Sequence, residues 1–196
     1  MKARALMLAL PAALLLSASS TYAVPMSFVA VLSGAAEATP NGSPGTGTAL
    51  VTLDLDLDLL TVDVSFAGLV ADNTAAHIHC CTMVPLTGTA SVATPTPTFP
   101  GFPPGTSGVY SQAFDLTMTS SYSNGFLMAH GGTAAGAQAA LVAGLLGQQS
   151  YLNIHSSTYP GGEIRGFLVP VPEPASLILL GSGLAAAGLR ARRRRR

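Results

Sequence analysis

Residues 50–66, LVTLDLDLDLLTVDVSF, decide the fold class, because apolar and polar side chains alternate along almost the whole run. The leucines between positions 53 and 59 stand on odd numbers, whereas the apolar residues from position 60 to 66 stand on even numbers. Alternation with a period of two is typical of a β-strand with one buried face, and a change of parity reverses the side chains that face the core. The run therefore predicts two strands joined by a hairpin turn or a bulge near residues 57–60.

Turn-forming residues divide the sequence around this run into short apolar segments. Clusters of Asn, Gly, Ser and Pro, which favour tight turns, lie at 41–45, 124–125, 131–132 and 160–162. Between them, residues 110–118 alternate in polarity and residues 164–169 form another short apolar run. Several short strands at this spacing predict an all-β domain over residues 24–169, an antiparallel sandwich with one face exposed to solvent.

Two segments depart from the strand pattern. Residues 92–108 contain five prolines, which cannot donate ladder hydrogen bonds, so we expect an extended surface loop there. Residues 134–146 are rich in Ala and Leu and are followed by Gly147. This composition predicts one short helix that ends at the glycine.

Charge is distributed very unevenly along the chain. Residues 24–171 contain eight acids and a single base, Arg165, and therefore carry a net charge of −7. The other eight bases lie in the two end segments. A domain of this charge repels phosphate backbones, which excludes nucleic acid as a partner of the folded part.

The first 23 residues have the three parts of an export signal. Lys2 and Arg4 give a basic start, residues 5–16 are apolar, and a short stretch of small and polar residues ends at Ala23. The apolar run of about 12 residues is too short to span a bilayer. We therefore predict a secretory signal peptide over residues 1–23.

The end of the chain also has three parts. Pro172-Glu173-Pro174 precedes an apolar stretch at 175–189, and the last five residues are arginines. This arrangement resembles the PEP-CTERM sorting signal of Gram-negative bacteria that make exopolysaccharide. The resemblance implies a sorting tail over residues 170–196 that crosses the membrane transiently through 175–189. It also implies cleavage by an exosortase-type enzyme and retention at the cell surface, near exopolysaccharide or another surface component.

Three histidines are candidate metal ligands. In a strand, His77 and His79 point to the same face, about 6.6 Å apart. Residues 151–155 have the pattern of a second strand that ends at His155, and pairing of the two strands would place His155 beside the other two. His77, His79 and His155 are therefore candidate ligands for copper or zinc. The other interpretation, which stays open, is that they are packed or hydrogen-bonded histidines without a metal.

Cys80 and Cys81 follow His79 directly. A tight turn after His79 would let Cys81 and Met83 join the histidines, in a ligand set of the blue-copper type. Alternatively, the two thiols form a disulfide with each other in an oxidising compartment. The sequence leaves both interpretations open.

Six blocks of the sequence resemble the CHRD domain, which is named from chordin and is frequent in bacterial secreted proteins. They are FVAVLSGAAE at 28–37, GTGTA at 45–49, FAGL at 66–69, AAHIH at 75–79, YLNIHS at 151–156 and YPGGEIRG at 159–166. The resemblance implies an immunoglobulin-like β-sandwich with an extracellular role. The last block contains Arg165, which we expect to form a structural ion pair with a carboxylate.

These observations favour an exported surface or matrix module of a Gram-negative bacterium with a non-enzymatic binding or structural role. No nucleophile–base pattern, phosphate-binding glycine loop or pair of carboxylates is recognisable in the sequence. The alternative function is a copper- or zinc-binding domain that uses the three histidines. In one form of this alternative the bound metal is redox-active.

Overall fold

The computed structural model describes residues 24–172 and, within the tail, residues 183, 184, 190, 192 and 193. The predicted signal peptide at 1–23, Glu173 and Pro174 of the sorting motif, and most of the apolar stretch at 175–189 lie outside the described residues. Pro172 is exposed at the end of the folded part. None of the helices formed by the described residues is both long enough and apolar enough to span a bilayer.

Residues 24–172 form eight strands and a small helical part. The strands are β1 (Met26–Ser33), β2 (Thr46–Asp54), β3 (Leu59–Ala67), β4 (Asn73–His79), β5 (Gly108–Asp115), β6 (Tyr151–Ser156), β7 (Ile164–Phe167) and β8 (Val169–Pro170). The helices are α1 (Asn124–Ala129) and α2 (Ala134–Leu146), with 3-10 turns at Gly34–Ala36 and Thr119–Ser121. Hydrogen bonds link the strands into one antiparallel sheet in the order β4-β6-β7-β1-β2-β3-β5, and β8 adds to β1.

The β2–β3 hairpin confirms the change of parity that the sequence showed. Asp54 pairs with Leu59, and the four residues between them form the turn. The strand ends at Asp54 because its carboxylate accepts the backbone N–H groups of Asp56 and Leu57, an arrangement that favours a turn over a continued ladder. The turn lies at residues 55–58, two positions earlier than the predicted 57–60, so Leu55 is exposed in the turn and does not extend the buried face of the strand.

The sheet curls so that its two end strands share one core. β4 and β5 lie at opposite ends of the strand order, yet Phe99 contacts both. Its backbone N–H donates to the carbonyl of Ala76 in β4, and its ring lies 5.5 Å from that of Tyr110 in β5. The result is a mostly β, antiparallel domain, as predicted. The finer prediction of an immunoglobulin-like sandwich remains a prediction.

The proline-rich segment at 92–108 is only partly the surface loop that we expected. Ala93 and Phe99 are fully buried, and the ring of Phe102 stacks on Phe66 of β3. The side chain of Thr94 accepts the N–H of Ile78 in β4. The segment therefore covers one edge of the sheet and fills the core between the two end strands, a role that its prolines concealed.

Helix α2 has the bounds that the composition predicted, and Gly147 follows its last residue. The side chain of Thr133 caps its first turn by accepting the N–H of Gly136, and Leu141 and Leu145 bury one side of the helix. The short helix α1 was not predicted. It begins after Ser123, whose hydroxyl accepts the N–H of Phe126.

The buried position of Phe99 can be tested by truncation. We predict that Phe99→Ala lowers the free energy of unfolding by about 3–5 kcal/mol, because it removes a fully buried ring and leaves a cavity among Phe102, Tyr110 and Phe114. Urea denaturation measures this change.

Val109→Ala is the matched control, because Val109 lies on the solvent side of β5 and is 77% exposed. The control should lose less than about 1 kcal/mol. If Phe99→Ala also lowers the free energy of unfolding by less than about 1 kcal/mol, residues 92–108 are a surface loop after all.

Candidate metal centre

The pairing of β4 with β6 gathers the candidate ligands. In this antiparallel register His77 lies opposite Asn153, His79 opposite Tyr151 and Ala75 opposite His155. Residues directly opposite each other share a face of the sheet, so all three histidines lie on the face that points away from the core residues Ile78 and Ile154. We call this the outer face of β4 and β6.

The three imidazoles converge as the sequence predicted. One ring nitrogen from each of His77, His79 and His155 can be chosen so that all three atoms lie within 4.8 Å of one another. The ring centroid of His77 is 4.9 Å from that of His79 and 4.8 Å from that of His155. Three nitrogens this close can bind one ion at ordinary metal–nitrogen distances of about 2.0–2.1 Å after small side-chain rotations.

Backbone carbonyls orient two of the three rings. Nδ1 of His79 lies 2.8 Å from the carbonyl oxygen of Ala90, and Nδ1 of His155 lies 3.0 Å from that of Pro160. Because a carbonyl only accepts hydrogen bonds, each Nδ1 carries the hydrogen and each Nε2 keeps its lone pair. This is the arrangement by which proteins usually fix the tautomer of metal-binding histidines.

Each of the three imidazoles has a buried ring nitrogen with no hydrogen-bond partner within the described part of the chain. Nε2 of His79, Nε2 of His155 and Nδ1 of His77 are each buried without a hydrogen bond. Buried polar atoms are normally satisfied, so three unpaired ring nitrogens in one cluster need an explanation. A bound cation would satisfy all three at once.

The surroundings keep the imidazoles in the neutral, ligating form. Burial, together with the neighbouring His79 and His155, lowers the pKa of His77 to about 3. Burial also lowers the pKa of His79 to about 4, although the hydrogen bond to Ala90 partly offsets it. The pKa of His155 is lowered by burial too. Metal ions bind the deprotonated imidazole, so at neutral pH no proton has to leave the cluster.

Arg165 forms the ion pair that we predicted, and its partner is Glu37. The guanidinium Nε lies 3.9 Å from a carboxylate oxygen of Glu37, and both groups are buried. Burial outweighs this long contact and raises the pKa of Glu37 to about 7. Glu163, which is closer in sequence, instead accepts hydrogen bonds from Ser43 and the backbone of Val70.

The cysteines lie outside the cluster. Cys80 and Cys81 are joined by a disulfide that packs against Gly144 of α2, where any larger side chain would collide with both sulfurs. Met83 is 97% exposed. Among the described residues, neither Cys81 nor Met83 joins the three histidines, and the two sulfurs are bonded to each other instead.

The sequence could not predict the two carbonyl groups that orient His79 and His155. The carbonyls of Ala90 and Pro160 belong to loops, and any residue type supplies a carbonyl. Tyr151, which stacks on His79, was visible only as an ordinary strand residue.

Comparison with known families covers most of the chain. The family model of the CHRD domain matches residues 28–168, and the model of the PEP-CTERM protein-sorting motif matches residues 170–195. Comparisons with curated proteins and with solved structures found no match.

The burial of neutral His77 predicts a specific loss of stability in acid. The unfolded chain binds a proton at His77 near pH 6.5, whereas the folded chain does so only near pH 3, so acidification favours the unfolded state throughout this interval. Between pH 7 and pH 5, the free energy of unfolding of the metal-free wild type should fall by about 2 kcal/mol more than that of His77→Gln.

Urea denaturation in chelator at the two pH values, for both proteins, measures this difference. His79, His155 and Glu37, whose pKa values are also shifted, are present in both proteins. If the two proteins lose the same free energy between pH 7 and pH 5, then His77 is not held neutral by its surroundings.

Proposed function

Because the chain belongs to the CHRD domain family and ends in a PEP-CTERM sorting motif, we propose that it is an exported, surface-retained module that binds one copper or zinc ion through His77, His79 and His155. Its role in this proposal is binding and not catalysis. Two observations support the proposal: one ring nitrogen from each of the three histidines lies within 4.8 Å of the other two, and each imidazole has a buried ring nitrogen without a hydrogen-bond partner among the described residues.

The donor set selects the class of metal. Within the described residues the cluster consists of three imidazoles, without a thiolate or a carboxylate. Neutral imidazoles suit Cu²⁺ and Zn²⁺ better than Ca²⁺ or Mg²⁺, which prefer oxygen ligands. Three protein ligands leave a fourth position that water or a surface component can fill.

A non-enzymatic role is supported by the charged groups on the same side of the sheet. Arg165 donates to the carbonyls of Ala36 and Gly88 and is paired with Glu37. Through these hydrogen bonds the Arg165 side chain attaches the segments that contain Ala36 and Gly88 to the sheet, which is a structural role. We also propose that the curled sheet, whose two end strands share one core, is an immunoglobulin-like sandwich that serves as a rigid support for the site.

Export and retention complete the proposal. The sorting motif implies an exported protein that exosortase-type machinery processes. We propose that residues 1–23 are the signal peptide, that Pro172, Glu173 and Pro174 form the recognition motif, and that residues 175–189 hold the protein in the membrane until cleavage. The domain then stays at the cell surface, where exopolysaccharide is its proposed neighbour.

Metal binding predicts a gain in thermal stability. At an ion concentration of 100 times the dissociation constant, binding to the folded state alone should add about 2.7 kcal/mol to the free energy of unfolding. The chain should therefore melt several degrees higher in Cu²⁺ or Zn²⁺ than in chelator, and His79→Ala should abolish this gain. Differential scanning calorimetry measures the melting temperatures.

His130→Ala is the matched control, because His130 lies beside Phe126 at the end of α1 and not in the cluster. It should keep the full gain with metal. Equal melting temperatures of the wild type with metal and with chelator would refute the metal-binding proposal and leave the histidines as packed side chains.

The sorting proposal predicts a change of location. In a host that lacks an exosortase, the full chain should remain in the membrane fraction, whereas a chain that ends at Val171 should appear in the soluble exported fraction. Cell fractionation and immunoblotting measure the distribution. If both chains partition alike, the tail is not the retention signal.

A further inference from the structure

Tyr151 lies directly against one of the proposed ligands. Its ring and that of His79 are almost parallel, with an interplanar angle of 7° and centroids 4.6 Å apart. Tyr151 is 2% exposed, so neither ring can swing away without opening the packing of this part of the sheet.

The same tyrosine also holds the group that orients His79. The carbonyl of Ala90, which accepts the hydrogen of His79 Nδ1, also lies 3.4 Å from the Tyr151 hydroxyl, and the N–H of Ala90 donates to that hydroxyl at 3.3 Å. Tyr151 thus contacts the imidazole through its ring and the orienting loop through its hydroxyl.

Arg165 fixes the tyrosine in turn. The guanidinium carbon lies 4.9 Å from the centre of the Tyr151 ring, a cation–π contact, and the guanidinium is itself bound by the carbonyls of Ala36 and Gly88. Gly88 belongs to the same loop as Ala90. Arg165, Tyr151 and this loop therefore form one fixed frame around His79.

We propose that Tyr151 is a positioning residue for the metal ion, which acts by fixing the ring plane of His79 and the carbonyl of Ala90 so that Nε2 points at the other two nitrogens. The last side-chain torsion of a histidine is broad, so without this frame the imidazole would sample orientations that cannot bind together with His77 and His155. The inference rests on the proposed metal site and deepens it, because it names the group that organises one ligand.

A purely structural role for Tyr151 makes a different prediction. If the ring only fills space, its replacement lowers the stability of the metal-free protein but leaves the metal affinity and the geometry of the bound ion unchanged. Outer-shell partners of metal ligands, when removed, typically change affinity by about 10- to 100-fold. Affinity and coordination geometry therefore separate the two roles.

The experiment uses the full chain, purified in detergent, with Cu²⁺ and Zn²⁺ as the probes. Titration calorimetry should give a dissociation constant about 10-fold or more higher for Tyr151→Leu than for the wild type, with Tyr151→Phe in between because it keeps the stacked ring and loses the hydroxyl. The electron paramagnetic resonance spectrum of bound Cu²⁺ should change in Tyr151→Leu.

Phe167→Leu is the matched control. Phe167 also contacts Tyr151 and Arg165, but the structure shows no ring contact between it and His79 within residues 24–172. Wild-type affinity and spectrum in the control, with weakened binding in Tyr151→Leu, support the proposal. The same affinity and spectrum in Tyr151→Leu and Phe167→Leu overturn it.

If Tyr151→Leu fails to fold, as circular dichroism would show, Tyr151→Phe decides the question, and wild-type affinity in that variant overturns the proposal. The test also distinguishes a failure of the metal site from a failure of the positioning role alone. A wild-type chain that binds neither ion overturns the metal site and the positioning role together. A wild-type chain that binds, with both Tyr151 variants binding equally well, overturns only the positioning role.

Discussion

The antiparallel register between β4 and β6 is the constraint on which the rest of the site depends. The same pairing that directs Ile78 and Ile154 into the core places His77, His79 and His155 together on the opposite face. A shift by one residue would turn isoleucines outward and histidines inward. Burial of the isoleucines in the core therefore fixes the register, and the register places the three imidazoles side by side. The fold and the proposed function thus have the same physical cause.

Local patterns predicted the elements whose cause is itself local. The parity change within residues 50–66 marked the β2–β3 hairpin, and the Ala/Leu composition before Gly147 marked α2 with its correct bounds. The His-x-His spacing fixed a shared face for His77 and His79, because a strand alternates with a period of two. The partnership with His155 followed from one further assumption, that its strand pairs with β4.

Contacts between distant segments could not be predicted. The ion-pair partner of Arg165 is Glu37, 128 positions earlier, and nothing in the local sequence distinguishes Glu37 from the other acids. The burial of Phe99 depends on the curl of the sheet, which brings its two end strands to one core, whereas its neighbouring prolines indicated a loop. The disulfide was one of two open alternatives, because the choice depends on where the chain turns after His79.

We propose that this register builds a three-histidine site for one metal ion. The most direct measurement is a crystal structure of the zinc-loaded protein with anomalous diffraction at the zinc absorption edge. A three-histidine site predicts one strong peak on the outer face of β4 and β6, about 2.0–2.1 Å from a ring nitrogen of each of His77, His79 and His155. A map with no peak among these three nitrogens, or with zinc bound only elsewhere on the surface, would contradict the account.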